Sequence, residues 1–409
     1  MRELLLVALW MGGSGVSAHE ADSTRWWERD MLDFSGEGAT VLVNPLMDLR
    51  IGGGSNGTVF ENNRGARFDA VIDGEWKVRG TLQERQGAAD PLTSYWAAAT
   101  ADFEQGTVAL PGWGRAKWLD RTEYEPGAPL RFDASRATTT LERSGERVAF
   151  LAGLDNVHEG DGFGSAFWSR NAAPLPFAGL SYSGTHWHAE GWAGSAIGSE
   201  RGPTGATAES LFARQRVSRL GGGLHRGERW STDVLWYRMA RVPFGSESPD
   251  VRHWGGFQGS FAEGPFSGYV GLALDWAACL QSDEQPGWMG ELVHLDWRMR
   301  PDSWMWLEWQ RARAGTVRTL RFDGKTQLSL FHTGTPLTHL FGDGVASLAM
   351  GWSTNFSKHW SLRARAERVM SRPNFEGDVA LTTWTNPPVL NLNLSCQRIL
   401  IPHSGVALT

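Results

Sequence analysis

The feature that most constrains the fold is a repeated alternation of apolar and polar side chains with a period of two residues. Successive side chains of a β-strand point to opposite faces, so each alternating segment predicts a strand with one apolar and one polar face. From residue 129 onward such segments recur roughly every 12 to 18 residues, separated by turns that carry glycine or proline. The clearest examples are 75–83, 270–276, 293–300 and 362–367.

The composition agrees with a chain of strands and turns. The 409 residues include 50 Gly, 22 Trp and 19 Phe but only 10 Met. Aromatic residues favour strands and glycine favours turns, so an all-β fold is predicted. The net charge of −6 gives no electrostatic basis for binding nucleic acid. No repeat of the length found in propellers or solenoids is present.

The alternation fits two architectures, a transmembrane barrel and a soluble sandwich. No run of apolar residues is long enough for a transmembrane helix. Arginine dominates the polar faces, where it can pair with carboxylates inside a barrel. Tryptophan lies near predicted strand ends, where an aromatic girdle meets the bilayer surface. These residues are Trp76, Trp230, Trp276, Trp288, Trp304 and Trp360.

We therefore predict a transmembrane antiparallel β-barrel of roughly 14 to 18 strands in the outer membrane. The first strand is predicted at 39–51, followed by strands near 64–73 and 75–86. Residues 209–220 fit either a helix or a strand. Short helices that plug or cover the pore are also expected, with 95–103 as the candidate.

The N-terminus has the form of a secretory signal peptide. Arg2, the apolar run 4–11 and the small residues 16–18 supply its charged region, core and cleavage site. A buried N-terminal strand is the alternative interpretation. With residues 1–18 as the signal, 19–38 form a periplasmic lead and 39–409 the barrel. Export would place Cys279 and Cys396 in an oxidising compartment, where they are able to pair.

Residues 154–182 predict a strand, a long loop and a return strand. The loop contains Gly160-Asp161-Gly162-Phe163-Gly164, and Pro174 and Pro176 interrupt regular pairing. A long loop in a β-rich chain is usually functional or disordered. Its aromatic side chains favour order because they supply apolar surface to bury.

The same loop resembles a known family. The sequences GDGFGS at 160–165 and APLPF at 173–177 resemble the core motif of Bacteroidetes-type Wzi-like capsule assembly proteins. Three further similarities occur in the family's order, at 44–46 with 63–65 (NPL and NRG), at 280–284 (LQSDE) and at 332–342 (HTGTPLTHLFG). The family's Y-x-x-x-H element is incomplete, because Phe212 and Gln215 occupy its place without the His. The C-terminus also lacks the aromatic ending usual in the family.

The resemblance implies a non-catalytic outer-membrane barrel that helps attach or assemble capsular or extracellular polysaccharide at the cell surface. The partners it implies are that polysaccharide, outer-membrane lipid and surface-machinery proteins, with no nucleic acid and no cofactor. Three alternatives remain open. They are a barrel of gliding-motility or adhesin machinery, a porin for anionic solutes, and a soluble secreted glycan-binding sandwich.

A glycan site in such a barrel would use aromatic faces, carboxylates and guanidinium groups. Aromatic rings stack on the C–H surfaces of sugars, and charged side chains hydrogen-bond their hydroxyls. The candidate residues are Trp113, Trp118, Asp161, Phe163, Trp168 and Trp254. For each tryptophan, a place in the aromatic girdle is the alternative.

The best metal candidate is the set His186, His188 and Glu190, which alternates along one strand face. No third imidazole accompanies them, so polar groups lining a wet interior are the favoured interpretation. We predict no metal site.

Carboxylates offer no clearer chemistry. Asp155, Glu159 and Asp161 lack the spacing of a helical calcium loop and are interpreted as a solvated loop. Asp283 and Glu284 are neighbours, so on a strand they face opposite ways and cannot act as paired carboxylates. With no nucleophile or phosphate-binding motif either, no enzyme activity is predicted.

Overall fold

The computed structural model describes a large part of the 409-residue chain. The described residues are 32–54, 57–89, 94, 106–119, 129–160, 165–169, 172–201, 212–227, 229–241, 250–275, 288–312, 331–332, 335–336, 345–357, 360–371 and 389–398. The predicted signal peptide, the predicted helix at 95–103 and the LQSDE stretch lie outside these residues. Cys279 also lies outside them.

Within the described residues, one antiparallel sheet contains 19 strands, and two further short strands pair separately. The strands are β1 Leu32–Gly36, β2 Ala39–Gly54, β3 Gly57–Ile72, β4 Trp76–Ala88, β5 Thr107–Leu110, β6 Gly114–Trp118, β7 Arg131–Ser144, β8 Val148–Asp155, β9 Leu175–Ser183, β10 Trp187–Arg201, β11 Phe212–Arg226, β12 Trp230–Arg241, β13 Asp250–Glu263, β14 Phe266–Asp275, β15 Trp288–Arg300, β16 Ser303–Ala312, β17 Phe331–His332, β18 Thr335–Pro336, β19 Val345–Ser357, β20 Trp360–Ser371 and β21 Val389–Arg398. No helix in this part of the chain is long and apolar enough to cross a bilayer.

The large sheet is a meander that closes on itself. Strands pair with their sequence neighbours, except that β4 pairs with β7 and β16 with β19. The last strand, β21, approaches β2 to within 8 Å between Cα atoms, which brings the two ends of the sheet together.

The predicted all-β antiparallel barrel is therefore confirmed. Setting aside the β5–β6 hairpin, the meander has 17 strands in the described residues, within the predicted range. The ambiguous segment 209–220 contributes to β11, and β1 extends the sheet into the predicted periplasmic lead. From the sequence, short helices are expected to plug the pore. In the described residues, a β-hairpin and an irregular loop enter the lumen instead.

The connections give the barrel two unlike ends. One end carries short turns, such as the β3–β4 turn, where Asp73 and Gly74 both adopt positive φ of 51° and 68°. Two successive residues with positive φ match the twist of antiparallel strands and permit a tight hairpin. Longer connections, such as those after β4, β8, β14 and β16, all leave from the opposite end. In outer-membrane barrels short turns are periplasmic and long loops extracellular, so this difference orients the molecule.

Aromatic side chains ring the outer face at the short-turn end. Trp187 stacks on Tyr182 with ring centroids 4.6 Å apart, and Trp230 packs on Phe261 at 5.7 Å. Trp230 remains 56% exposed on the outer face. The strands β4 and β12 begin with Trp76 and Trp230 at this end, whereas β15 begins with Trp288 at the long-loop end. Trp304 shares the inward face of β16 with Trp306 and Glu308, which contact His294. Trp76 and Trp230 occupy the predicted girdle positions, whereas the prediction is wrong for Trp304, whose strand position faces the lumen. Trp276 and the side chains of Trp288 and Trp360 lie outside what the structure describes.

Charged residues mark the upper limit of the apolar outer face. Glu84, Arg238 and Arg368 each stand eight positions beyond the tryptophan that begins their strand. Between these limits the outer face carries exposed apolar side chains such as Leu82 and Val234. Eight residues at ~3.3 Å and a tilt of ~40° span about 20 Å, close to the apolar band of outer-membrane barrels. The molecule is an outer-membrane β-barrel, and the soluble-sandwich alternative is wrong.

The apolar core lies inside the barrel. The loop between β8 and β9 contributes Phe167 and Trp168 to a cluster, here called the loop cluster, with the inward faces of β10 to β15. The β5–β6 hairpin forms a second, the hairpin cluster, with Leu130, Phe132 and Ala134. A third segment, β17–β18, comes within 8 Å of β10 between Cα atoms, although β11 to β15 separate β10 from β16 in the sheet. Three connections of the long-loop end therefore fold into or across the lumen.

Candidate functional site

A polar pocket lies in the lumen at the tip of the β5–β6 hairpin. Gly112 and Gly114 have positive φ of 71° and 82°, values that glycine adopts without steric strain. The amide of Trp113 donates to the carbonyl of Leu110 at 3.1 Å and closes the turn. The tight turn thus projects the Trp113 side chain from the hairpin towards the inner walls of β2 to β4.

Two guanidinium groups face the Trp113 indole. Arg136 Cζ lies 4.5 Å from the ring centroid, and Arg85 Cζ lies 5.7 Å from it. Both distances fall within the range of cation–π attraction, which is strongest for indole and increases where water is excluded. Trp113 is therefore held by charge from two neighbouring strand walls as well as by its own turn.

Each arginine has further partners that fix its position. Arg85 Nη2 donates to both carboxylate oxygens of Glu61, at 2.6 and 2.7 Å. Arg136 Nη1 donates to the carbonyl of Gly112 at 3.0 Å and to Asn156 Oδ1 at 3.2 Å. The pocket walls are consequently rigid, because hydrogen bonds to ionised groups are stronger than those between neutral ones.

The resulting cavity, here called the Trp113 pocket, has a volume of about 50 Å³ and is lined by Asp48, Glu61, Asn63, Arg85 and Trp113. This volume holds a few water molecules or one or two polar groups of a ligand. Among the described residues, buried Asn63 Oδ1 and Arg136 Nε have no hydrogen-bond partner. A buried polar atom without a partner costs about 1–3 kcal/mol, so Asn63 Oδ1, on a residue that lines the cavity, favours a hydrogen-bonding occupant.

Asn156 connects the pocket to the long β8–β9 loop. Its amide nitrogen donates to the carbonyl of Gly112 at 3.1 Å and to that of Ala172 at 2.6 Å. One side chain therefore joins the hairpin tip to the far end of the loop. A movement of the loop would therefore displace the hairpin tip at the Trp113 pocket through this side chain.

A buried ionic network anchors the other side of the loop. Glu159 accepts hydrogen bonds from Arg219 Nη2 and from the Tyr237 hydroxyl, both at 2.6 Å. Arg219 also pairs with Glu190 on β10. Burial, reinforced by the nearby Glu190 charge, raises the pKa of Glu159 above its ordinary value, and Arg219 opposes this shift.

Aromatic packing completes the anchoring. The Tyr237 and Trp254 rings stack with centroids 4.9 Å apart, and Phe167 and Trp168 of the loop each stack on Tyr237 at 6.3 Å. Gln310 of β16 donates to the Ser165 carbonyl at 2.8 Å and ties the loop to the strand next to β15. The loop is thus fastened to the inner faces of the consecutive strands β10 to β16, and it narrows the passage.

The predicted glycan residues are distributed over three places. Trp168 and Trp254, both 0% exposed, belong to the loop cluster, and Trp118, 2% exposed, belongs to the hairpin cluster. Their ring faces are covered by protein, so they support the lumen architecture without offering a surface to a ligand. Only Trp113 among the described candidates lines a pocket. Asp161 and Phe163 lie outside the described residues.

The sequence interpretation missed most of the pocket. Asp48, Glu61, Arg85 and Arg136 are inward-facing residues of four different strands, and no local motif joins them. One signal was present, because Asn63 begins the NRG stretch that resembles the capsule-assembly family.

The residues considered for metal binding are engaged separately. His188 Nε2 lies 3.0 Å from Asp233 Oδ1, whereas Glu190 pairs with Arg219. In the described part of the chain, no group of three or more potential ligands is arranged to hold a metal ion.

No protein-family model and no curated protein sequence matches the chain. Among solved structures it is similar to Wzi of Escherichia coli, described as an outer-membrane protein involved in group 1 capsule assembly and a carbohydrate-binding β-barrel. The TM-score is 0.47 and the identity 12%, over 84% of this chain and 72% of that one. Salmonella typhi OmpF in complex with daunomycin gives 0.46 and 8%, over 90% and 100%. Pseudomonas aeruginosa OccK11 gives 0.37 and 13%, over 82% and 80%. At these scores and identities, no function passes from those proteins to this chain.

Proposed function

We propose that this outer-membrane barrel is a non-catalytic protein that retains capsular or extracellular polysaccharide at the cell surface. The observation that carries the proposal is the Trp113 pocket, a rigid lumen site lined by an indole, the Arg85 guanidinium group and carboxylates, with Arg136 packed on the indole. Such a set combines an apolar face with donors and acceptors for hydroxyl groups, as sugar recognition requires.

The size of the pocket defines how a glycan would bind. A cavity of about 50 Å³ accepts the edge of one sugar rather than a whole ring. Asn63 Oδ1 would accept a hydroxyl hydrogen, which satisfies this partnerless atom of a lining residue. The rest of the sugar chain would extend from the pocket towards the long-loop end, which faces the cell exterior.

The filled lumen supports retention over free diffusion. The β8–β9 loop and the β5–β6 hairpin pack as apolar clusters against the inner walls. Burying one large apolar side chain such as Phe167 or Trp168 contributes about 1.5–3 kcal/mol, so several together hold these segments in place. A barrel whose interior segments are packed in this way is suited to present a fixed binding surface.

The test compares surface polysaccharide in cells that lack the gene with cells that carry defined variants. Deletion is expected to release the polysaccharide into the medium, and the wild-type gene to restore its retention. A gene with Trp113→Ala and Asn63→Ala should fail to restore it. Trp297→Ala, which removes an exposed outer-face tryptophan, is the matched control and should restore it fully. Unchanged retention after deletion would reject the proposal.

A second candidate function, passage of anionic solutes, is favoured by one observation. Arg67 and Arg79 both bind Asp69 on the inner wall of β3 and β4, and the Arg79 side chain is half exposed in the lumen. Two arginines share the Asp69 carboxylate, and the Arg79 guanidinium group faces the lumen. Steady anion-selective conductance in planar bilayers that Arg79→Gln lowers would support this function, and a silent barrel would reject it.

A further inference from the structure

The outer face of the barrel carries a group of arginines that the lumen function does not use. Arg214 and Arg216 lie on β11 and Arg238 on β12, and we call these three residues the outer arginine patch. Alternation along β11 places Arg214 and Arg216 on the same face as exposed Leu220 and Leu224, opposite the buried Arg219. The patch therefore faces the membrane side and not the lumen.

The register places the three arginines at neighbouring positions on one face. Arg216 is paired with Ala240 and Ser218 with Arg238, so Arg216 and Arg238 are diagonal neighbours across the strands. Diagonal neighbours on one face of an antiparallel pair lie about 7–8 Å apart. On the other side of β12, His253 of β13 is paired with Arg238 and adds another potential hydrogen-bond donor.

The patch lies at the outer limit of the apolar band. Arg238 stands eight positions beyond Trp230, the girdle residue of its strand, at the level reached by Glu84 on β4. Because the girdle marks the short-turn, periplasmic end, this level faces the headgroups of the outer leaflet.

Two outer-face arginines elsewhere at this level are neutralised by a carboxylate. Arg64 pairs with Glu84 at 3.1 Å, and Arg311 pairs with Glu291 at 3.4 Å. The outer arginine patch differs, because the outward positions of β10 to β13 at this height carry no carboxylate among the described residues. Those positions are occupied by Ser195, Ile197, Arg214, Arg216, Ser218, Arg238, Ala240, Val251 and His253.

We propose that the outer arginine patch binds the phosphate groups of an anionic lipid in the outer leaflet. Arginine pairs bidentately with phosphate oxygens, and at a membrane surface its stem lies along apolar side chains while its head stays at the interface. Directly below, Leu220, Leu224 and Val234 are each more than half exposed on the outer face. A lipid with more than one phosphate and several acyl chains fits this arrangement of charge above an apolar wall.

The test measures lipid retained by the purified barrel in neutral detergent. Wild-type protein is mixed with a bis-phosphorylated acyl-glycolipid or with zwitterionic phosphatidylcholine, and native mass spectrometry quantifies each bound lipid. The triple variant Arg214→Gln, Arg216→Gln, Arg238→Gln should retain at least 10-fold less phosphorylated lipid and unchanged phosphatidylcholine. Arg64→Gln with Glu84→Gln, which removes a neutralised pair at the same height, should retain as much as wild type.

Two further arms make the outcome decisive. Inorganic phosphate added at the lipid's concentration should leave the lipid bound, whereas complete displacement would show a simple anion site and overturn the proposal. Equal lipid retention by the triple variant and wild type would also overturn it. The triple variant is used only if it shows the heat-dependent gel shift of a folded barrel. If it does not, the single variants Arg214→Gln and Arg216→Gln, both at exposed positions, replace it. Each is expected to retain 2- to 5-fold less phosphorylated lipid than wild type.

Discussion

Replacing Gly160 with alanine is expected to detach the β8–β9 loop from the inner wall. Gly160 has a φ of 95°, and an added Cβ would lie 2.3 Å from the Tyr269 hydroxyl oxygen and 2.4 Å from Tyr269 Cζ. The positive φ costs a non-glycine residue about 1–2 kcal/mol, and overpacking adds about 1–3 kcal/mol. The variant should therefore lose about 2–5 kcal/mol of loop anchoring.

A matched variant separates the two contributions. Gly264 also has a positive φ, of 58°, but an added Cβ there meets no atom within 4 Å. Gly264→Ala should therefore cost only the backbone term of about 1–2 kcal/mol. Combining Gly160→Ala with Tyr269→Ala should remove the clash and leave a coupling of at least 1 kcal/mol in a double-mutant cycle.

The assays are urea unfolding in lipid vesicles and conductance in planar bilayers. Gly160→Ala should unfold at lower urea than Gly264→Ala, and its conductance should rise because the released loop no longer narrows the lumen. Identical unfolding midpoints and conductances for the two variants would refute the inference that the loop is packed against Tyr269.

Three further predictions concern the buried network, the membrane face and the loop junction. Arg219→Met should lower the free energy of unfolding by about 3–5 kcal/mol in the same urea assay, because Glu159 is left buried without its cation. The control Arg143→Met, which breaks an exposed pair with Glu75, should lower it by less than 1 kcal/mol. Val234→Arg in the apolar band should cost about 2–4 kcal/mol, whereas Ala240→Arg at its upper limit should cost about 0–1 kcal/mol, and equal costs would contradict the assigned band. Asn156→Ala should increase protease cleavage of both the loop and the β5–β6 hairpin, since Asn156 joins them, and cleavage confined to the loop would argue against that junction.

The strands could be predicted from sequence because the barrel has two uniform surroundings. Lipid outside and polar groups inside impose a strict alternation, and segments such as 75–83 follow it closely. The girdle was equally legible, because Trp76 and Trp230 stand at the first position of their strands. Both features depend only on a residue's position within its own strand, so they can be predicted without knowledge of distant contacts.

The lumen could not be predicted in the same way. Trp254 and Trp230 are both strand tryptophans, yet the first is buried in the loop cluster and the second is exposed on the girdle. Alternation separates two faces but does not tell which segment folds back against the inner one. Glu159 and Arg219 are far apart in sequence, and neither local sequence indicates that the two side chains form an ion pair.

The most direct test of a lumen glycan site is calorimetric titration of the purified barrel with isolated surface polysaccharide. Wild-type protein and Trp297→Ala, the outer-face control, should bind with the same affinity, whereas Trp113→Ala should bind at least 10-fold more weakly. Retained affinity in Trp113→Ala, or no binding by the wild type, would contradict the assignment of the Trp113 pocket as the site that holds the glycan.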